Sequence, residues 1–266
     1  MSENIRLTKR DHLVFEQVAE FELTTKKALW RSFFENQRMV AVDSMLRRLD
    51  ERGIGYLHAS KIPGTRTLYY RLTEKGAREL GYQFNPKPPS ITAICKRMAT
   101  LYFMNCGPSS QTRKYLDKAA LAQFINCEGL HTGKFRPPRV DFYIARNNIE
   151  DQQDSSLVLG GILPDLNTSV ERAVQRCVKH SKNFIERGWF VDVMRAGRFE
   201  WSILTGHKKK QAELAHTIKR ALEQRMGLLY FKHGLDSRKL PPIQVRVEVI
   251  AELAAIRLRK KKKDKD

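Results

Sequence analysis

The chain has 266 residues, 49 of them Lys or Arg against 29 Asp or Glu, for a net charge of +20, and 41% are hydrophobic. That content is globular and excludes wholesale disorder; no run approaches the roughly 18 apolar residues of a membrane helix, so one or two folded domains and no membrane are expected. The opening Met1–Arg10 lacks the apolar stretch of a secretory leader, and Cys95, Cys106, Cys127 and Cys177 have neither C-x-x-C nor zinc-finger spacing, which predicts a cytoplasmic protein with buried thiols.

Thr8, with Asp11 three residues on, predicts a capped helix start, and Val14, Phe15, Val18 and Phe21 follow at helical spacing. Thr24 or Thr25 opens a second helix carrying Ala28, Leu29 and Phe33. A third is expected from about Gln37 to Glu51, with Met39, Val42, Met45, Leu46 and Leu49 on one face and Gly53 as its stop. Strands at 54–58 and 68–72 flank a polar tip with its turn at Pro63-Gly64, and a short helix from Thr73 closes the region. Three helices and a hairpin are the order of a winged helix-turn-helix, placed at 1–84.

That arrangement turns Gln37, Arg38, Ala41, Ser44, Arg47 and Arg48 outward, where amide and guanidinium groups reach base edges in the major groove of double-stranded DNA. Lys61, Thr65 and Arg66 on the hairpin would lie on flanking phosphates or in the minor groove. The alternatives are that Arg47 and Arg48 merely solvate a helix face, or that the module contacts protein. Tyr69-Tyr70 reads as one core and one surface residue rather than a strand-transfer nucleophile.

Residues 85–90 (Asn-Pro-Lys-Pro-Pro-Ser) are Pro-rich and read as a linker. The second domain, 91–250, is expected to be α/β with a mixed sheet. Ile91–Met104 and Arg113–Ile125 read as helices, then Arg139–Ala145 and Leu157–Leu163 as strands around a polar loop. Thr168 or Ser169 caps a helix through Val170, Ala173, Val174, Cys177, Val178 and Ile185, ended at Arg187-Gly188. Strands Trp189–Met194 and Phe199–Leu204 follow, then a helix from about Lys208 to Met226. Ile243–Val249 alternates as a late strand ahead of a short helix and a basic tail at 251–266.

The charge rises along the chain, from +4 over residues 1–85 to +6 over 86–200 and +10 over 201–266. A polyanion partner is the natural reading, since each cation placed on a phosphate releases counterions. Lys208, Lys209 and Lys210 open a helix, where the dipole disfavours positive charge; a DNA phosphate would offset that, and a plain solvated face is the equal alternative. The seven histidines show no H-x-H or H-E-x-x-H, and no G-K-[ST] follows Gly160-Gly161, which argues against a zinc hydrolase and a phosphate loop.

Leu7-Thr-Lys-Arg-Asp11, Leu23-Thr-Thr25, Leu46-Arg-Arg-Leu-Asp50 and Tyr70-Arg-Leu-Thr-Glu-Lys-Gly76 together resemble the winged-helix domain of the replication-relaxation family, found on plasmids and integrative elements. Further on, Pro138-Arg-Val-Asp141 resembles that family's P-D strand. Leu163-Pro-Asp-Leu-Asn-Thr168 resembles its strand ending E-[VI]-D-x-G-T-E, ahead of a long helix, here Ser169–Glu186. The resemblance runs to about residue 225, the second domain matching by order more than by letters. It implies a DNA-binding protein of a mobile genetic element, a transcriptional regulator of transfer or replication genes, whose second domain resembles a degenerate restriction-endonuclease-like fold.

A related plasmid-mobilisation group uses such a domain as its relaxase, with strand-end acids holding a divalent metal that activates water. On that resemblance Asp141 and Asp165 are the candidate catalytic acids and Mg²⁺ or Mn²⁺ the candidate cofactor. The family's preceding Glu falls on Leu163 and no E-x-K follows, although Glu200 sits on a later strand. Three functions follow: a regulator, in which a palindromic operator would expect a homodimer and the second domain serves dimerisation, partner or effector contact; a metal-dependent enzyme nicking an origin of transfer; and a non-enzymatic accessory factor with a protein partner.

Overall fold

The computed structural model describes residues 6–63, 65–106, 110–127, 139–146, 157–166, 168–235 and 241–254. The turn residue Gly64, Pro138, the polar loop at 147–156, the Cys127 side chain and the basic tail beyond 254 lie outside the described residues. The chain is a mixed α/β protein with two sheets. It divides into two units, one taking in everything described through Cys106 and the other everything from Ser110 to Ala254.

In the first unit α1 (Lys9–Phe21) starts where expected. The Thr8 hydroxyl accepts from Asp11 N, and the Asp11 carboxylate takes Thr8 N at 2.7 Å, a reciprocal cap of about 1 kcal/mol. Next, β1 (Thr24–Thr25) pairs with Tyr69 and Tyr70; two residues carry no period, so this strand was not anticipated. Thr25 caps α2 (Lys26–Phe33). The third helix, α3 (Met39–Leu49), begins two residues late because Gln37 is committed to a turn: its N–H bonds Phe34 O and its carbonyl accepts Trp30 Nε1, both at 2.8 Å. Its stop depends on Gly53, where a Cβ would sit 2.0 Å from Arg48 O.

The hairpin is β2 (Leu57–Lys61) and β3 (Leu68–Leu72), and the sheet order is β1-β3-β2. As β3 is central, Tyr69 and Tyr70 fall on opposite faces and both are buried, so neither is the surface residue expected. The helix α4 (Glu74–Leu80) closes the hairpin, capped by Thr73. In α5 (Ile91–Asn105) the apolar residues are buried nearly all round; Tyr102 Oη lies 2.7 Å from Thr25 Oγ1, and Arg97 pairs with Glu22. The Pro-rich stretch 85–90 therefore joins two helices of one unit, where the sequence reading put a boundary.

The second unit runs β4 (Arg113–Leu116), α6 (Lys118–Cys127), β5 (Asp141–Arg146), β6 (Leu157–Asp165), α7 (Val170–Glu186), α8 (Val191–Arg195), β7 (Phe199–Thr205), α9 (Lys208–Lys232), β8 (Ile243–Val249) and α10 (Ala251–Ala254). The sheet is in chain order; β4, β5 and β6 are antiparallel, whereas β6, β7 and β8 are parallel through α7 and α9. Helices α6 to α9 share one apolar core with it. At the centre, the Phe184 ring stands 5.2 Å from Phe190 and 5.5 Å from Trp201, whose indole donates to buried Ser181 at 2.9 Å. No helix among the described residues is long and apolar enough to cross a membrane.

In the second unit two elements differ in kind from expectation, and in the first the strand expected at 54–58 runs instead over Leu57–Lys61. The predicted helix 113–125 is a strand and a shorter helix, because Asp117 accepts from Ala120 N and restarts the chain as α6. The predicted strand 189–194 contains α8: Trp189, Phe190, Val193 and Met194 have helical spacing, and Phe190 at φ 60° turns the chain into it. Gly160 and Gly161, in mid-strand, are explained by close approach: a Cβ at 160 would lie 2.1 Å from the Tyr143 ring and one at 161 would lie 2.3 Å from Trp201. Gly161→Ala is expected to cost about 3 kcal/mol in urea unfolding, the upper end of overpacking, since Trp201 has no room to retreat.

Candidate functional site

The outward surface of α3 carries most of the residues singled out in the sequence. Gln37, Arg38, Ser44 and Arg47 are exposed, and Ala41 is half-buried against the first unit's core. One exposed residue was missed. Val40 is 67% exposed, off the apolar period of Met39, Val42, Met45, Leu46 and Leu49, and no packing among the described residues of the unit accounts for it. Arg10 was missed too: its guanidinium stacks 4.6 Å over Phe34 and donates to Gln37 Oε1 at 3.4 Å, fixing the amide that precedes α3.

Arg48 departs from expectation. Its guanidinium donates to Asp11 at 2.5 Å, and Asp11 is 1% exposed, so Arg48 locks α3 to the start of α1 instead of facing outward. Lys26 of α2 pairs with Asp43 of α3 at 2.5 Å from the other side. Beside this lock an open groove of about 970 Å³ runs between the starts of α1 and α3, lined by Lys9, Arg10, Phe34, Gln37, Ser44 and Arg48 among others. Burial works against ionisation of Asp11, but the bonds from Arg48 and Thr8 and the Arg48 charge outweigh it and hold the carboxyl below its ordinary 3.8. A depressed pKa contributes stability that is complete above 3.8 and is lost as pH falls through the folded value. The urea midpoint of the first unit, followed by Trp30 fluorescence, is therefore expected to fall in acid below 3.8, and Asp11→Asn to flatten that part of the profile.

On the hairpin, Lys61 and Arg66 are exposed. Thr65 is spent on the turn itself: its hydroxyl donates to Ile62 O and accepts from Thr67 N, both at 3.1 Å. In the second unit Lys208 and Lys209 are exposed at the start of α9, but Lys210 is half-buried; its ammonium donates to Thr168 O at 2.9 Å and lies 3.8 Å from Asp165. Sequence spacing could not reveal these uses, since Arg48 and Lys210 take partners 37 and 42 residues away.

The two candidate acids are not brought together. Asp141 opens β5 and Asp165 closes β6, at the same edge of the sheet, but Asp141 is registered opposite Ile162, three residues or ~10 Å short of Asp165. Strand alternation also sends them to opposite faces. Asp141 shares that of Tyr143, whose ring covers Gly160, and Asp165 shares that of Trp201, whose ring covers Gly161. Asp165, 1% exposed, accepts from Thr168 N at 3.0 Å and Thr168 Oγ1 at 2.7 Å, with Thr205 Oγ1 at 3.5 Å. It works as the cap of the turn into α7. The pair does not fit a shared Mg²⁺ or Mn²⁺, and among the described residues no group of three or more His, Cys, Asp and Glu is placed to hold a metal.

Glu200 is also committed. On the sheet face of Tyr143, its carboxylate accepts from Tyr143 Oη and from Arg246 Nε, and Tyr143 Oη lies 2.8 Å from Ser202 Oγ. Burial, together with the charge and hydrogen bond of Glu200, pushes the Tyr143 phenol well above its ordinary pKa, so it remains a donor. Arg113 and Arg246 pair with Glu248 on the same face, which balances two cations against two acids. Burial likewise raises the thiols of Cys95, to about 11, and Cys177, which keeps both protonated. Compared with protein-family models, with curated proteins and with solved structures, the chain matches none.

Proposed function

We propose that this chain is a sequence-specific double-stranded DNA-binding protein of a mobile genetic element, regulating transfer or replication genes. The observation that carries the DNA reading is the face of α3. Arg38 at the N-cap and Ser44 and Arg47 on the helix stand exposed, while the other sides of α3 are tied to α1 by Arg48 and to α2 by Asp43. In this reading the first unit is a winged helix and α3 lies in the major groove. Arg38 and Gln37 address base edges, Val40 meets a thymine methyl, and Arg47 rests on the backbone. Lys61 and Arg66 take flanking phosphates, and Lys208 and Lys209 offer a further contact. The mobile-element setting rests on the family resemblance alone.

Nicking draws no support from the acids, which stand on opposite faces of the sheet, so the second unit enters the proposal as a binding rather than a catalytic domain. The test is selection by the full chain from a pool of random duplexes, followed by titration against salt. An enriched sequence is expected, with affinity falling linearly in log salt. Arg38→Ala with Arg47→Ala should weaken binding about 100-fold and lower the salt slope by about one, the share of the phosphate contact, with folding intact. No enriched sequence, or equal affinity for the variant, overturns the reading. Crosslinking to the genome then separates regulator from accessory factor, since one predicts a promoter peak and the other an origin of transfer.

A further inference from the structure

Helical spacing predicts the last long helix to about Met226, and the six residues by which α9 exceeds it carry its least explained surface. Leu228 and Phe231, three residues apart on one helix face, are 89% and 86% exposed, above every other large apolar side chain among the described residues. Gly227 adjoins them in unbroken helix. Glycine weakens a helix interior, and a Cβ at 227 would meet nothing within 4 Å. Nothing among the described residues asks for glycine there; another helix crossing close against position 227 does. We propose that this end of α9 is the interface of a homodimer, in which two copies of α9 cross antiparallel at Gly227.

A second copy fits because knob and hole occupy one face. Leu228 and Phe231 of one protomer cover the space over Gly227 of its partner, and a two-fold axis satisfies both sides at once, which is what an isologous interface requires. Charge chooses the direction. Arg220, Glu223, Arg225 and Lys232 are exposed along this stretch, and a parallel pairing would set each beside its own copy, like against like. Antiparallel crossing instead carries Arg220, ~11 Å before the crossing, towards the end of the partner's α9, where the last carbonyls form the negative pole of the helix dipole. Two chains of +20 repel at low ionic strength, so the dimer tightens as salt rises, opposite in sign to the DNA affinity.

Sedimentation equilibrium of the full chain in ~0.3 M salt, where exposed charges are screened within a few ångströms, tests this. A dimer is expected, with Leu228→Glu plus Phe231→Glu weakening it at least about 30-fold, because two charges would be buried at the crossing. Gly227→Leu should also weaken it about tenfold while leaving the single chain's melting temperature equal or higher, since leucine favours helix and the space is open in one chain. A chain that remains monomeric at ~100 μM, a typical threshold for even a weak specific pair, overturns the proposal. So does a dimer that survives the double substitution, or one that Gly227→Leu leaves untouched.

Discussion

Asp165→Ala is expected to destabilise the second unit by about 3 kcal/mol, read as a lower urea midpoint of Trp201 fluorescence. The carboxylate is 1% exposed and supplies the cap of the turn into α7, through Thr168 N and Oγ1, as well as the counter-charge of Lys210. Its removal leaves the half-buried donors of Thr168 without that acceptor, and takes away the anion whose charge acts on both Lys210 and Arg176. Asp165→Asn keeps an oxygen for Thr168 and loses the charge, so about half the effect is expected; Lys210 is 29% exposed and can turn to water, so Lys210→Met should cost under about 1 kcal/mol.

The opposite signs would mark a metal centre. Acids gathered for a cation repel one another in its absence, so removing one would stabilise the free chain, and Mg²⁺ would raise the wild-type midpoint. Here Mg²⁺ is expected to leave the midpoint unchanged, and relaxation of supercoiled plasmid, if any is seen, to be indifferent to Asp141→Ala. The placement of Asp141 and Asp165 on opposite faces makes both outcomes a matter of strand alternation.

Local signals were readable in the sequence where a side chain acts within its own turn. Thr8 with Asp11, Thr24 or Thr25, Thr73, and Thr168 or Ser169 announce four helix starts, of which Thr25 and Ser169 prove the caps in the two open cases, and the alternation of Val245 and Val247 announces β8. What stayed hidden depends on partners far along the chain. The pairing of β1 with β3 spans more than forty residues, and Phe190 needs a left-handed turn before the spacing of α8 becomes visible. In the candidate site the same divide holds. Exposure of Ser44 and Arg47 follows from the period of α3, whereas Arg38, spaced in line with Val42, Met45 and Leu49, is exposed because it precedes the helix as its N-cap, and the diversion of Arg48 to Asp11 and of Lys210 to Thr168 follows only from the packed units.

Adjacent arginines should therefore separate folding from binding. Arg48→Ala leaves the buried Asp11 carboxylate with Thr8 as its remaining donor and frees α3 from α1; with the guanidinium 36% exposed, screening reduces the expected loss to about 2 kcal/mol, read from Trp30 fluorescence. Well below its melting temperature that variant should still bind DNA, because its contact is made inside the unit. Arg47→Ala removes an exposed cation, so stability should change by less than about 0.5 kcal/mol. Its DNA affinity should fall about tenfold and its salt slope by about one, uniformly across sequences if the contact is to phosphate. Arg38→Ala should instead relax the preference at one base pair, the mark of a base contact. If Arg48→Ala left stability intact and weakened binding as Arg47→Ala does, the Asp11 lock would not hold α3 in place and the reading face would extend over the groove beside it.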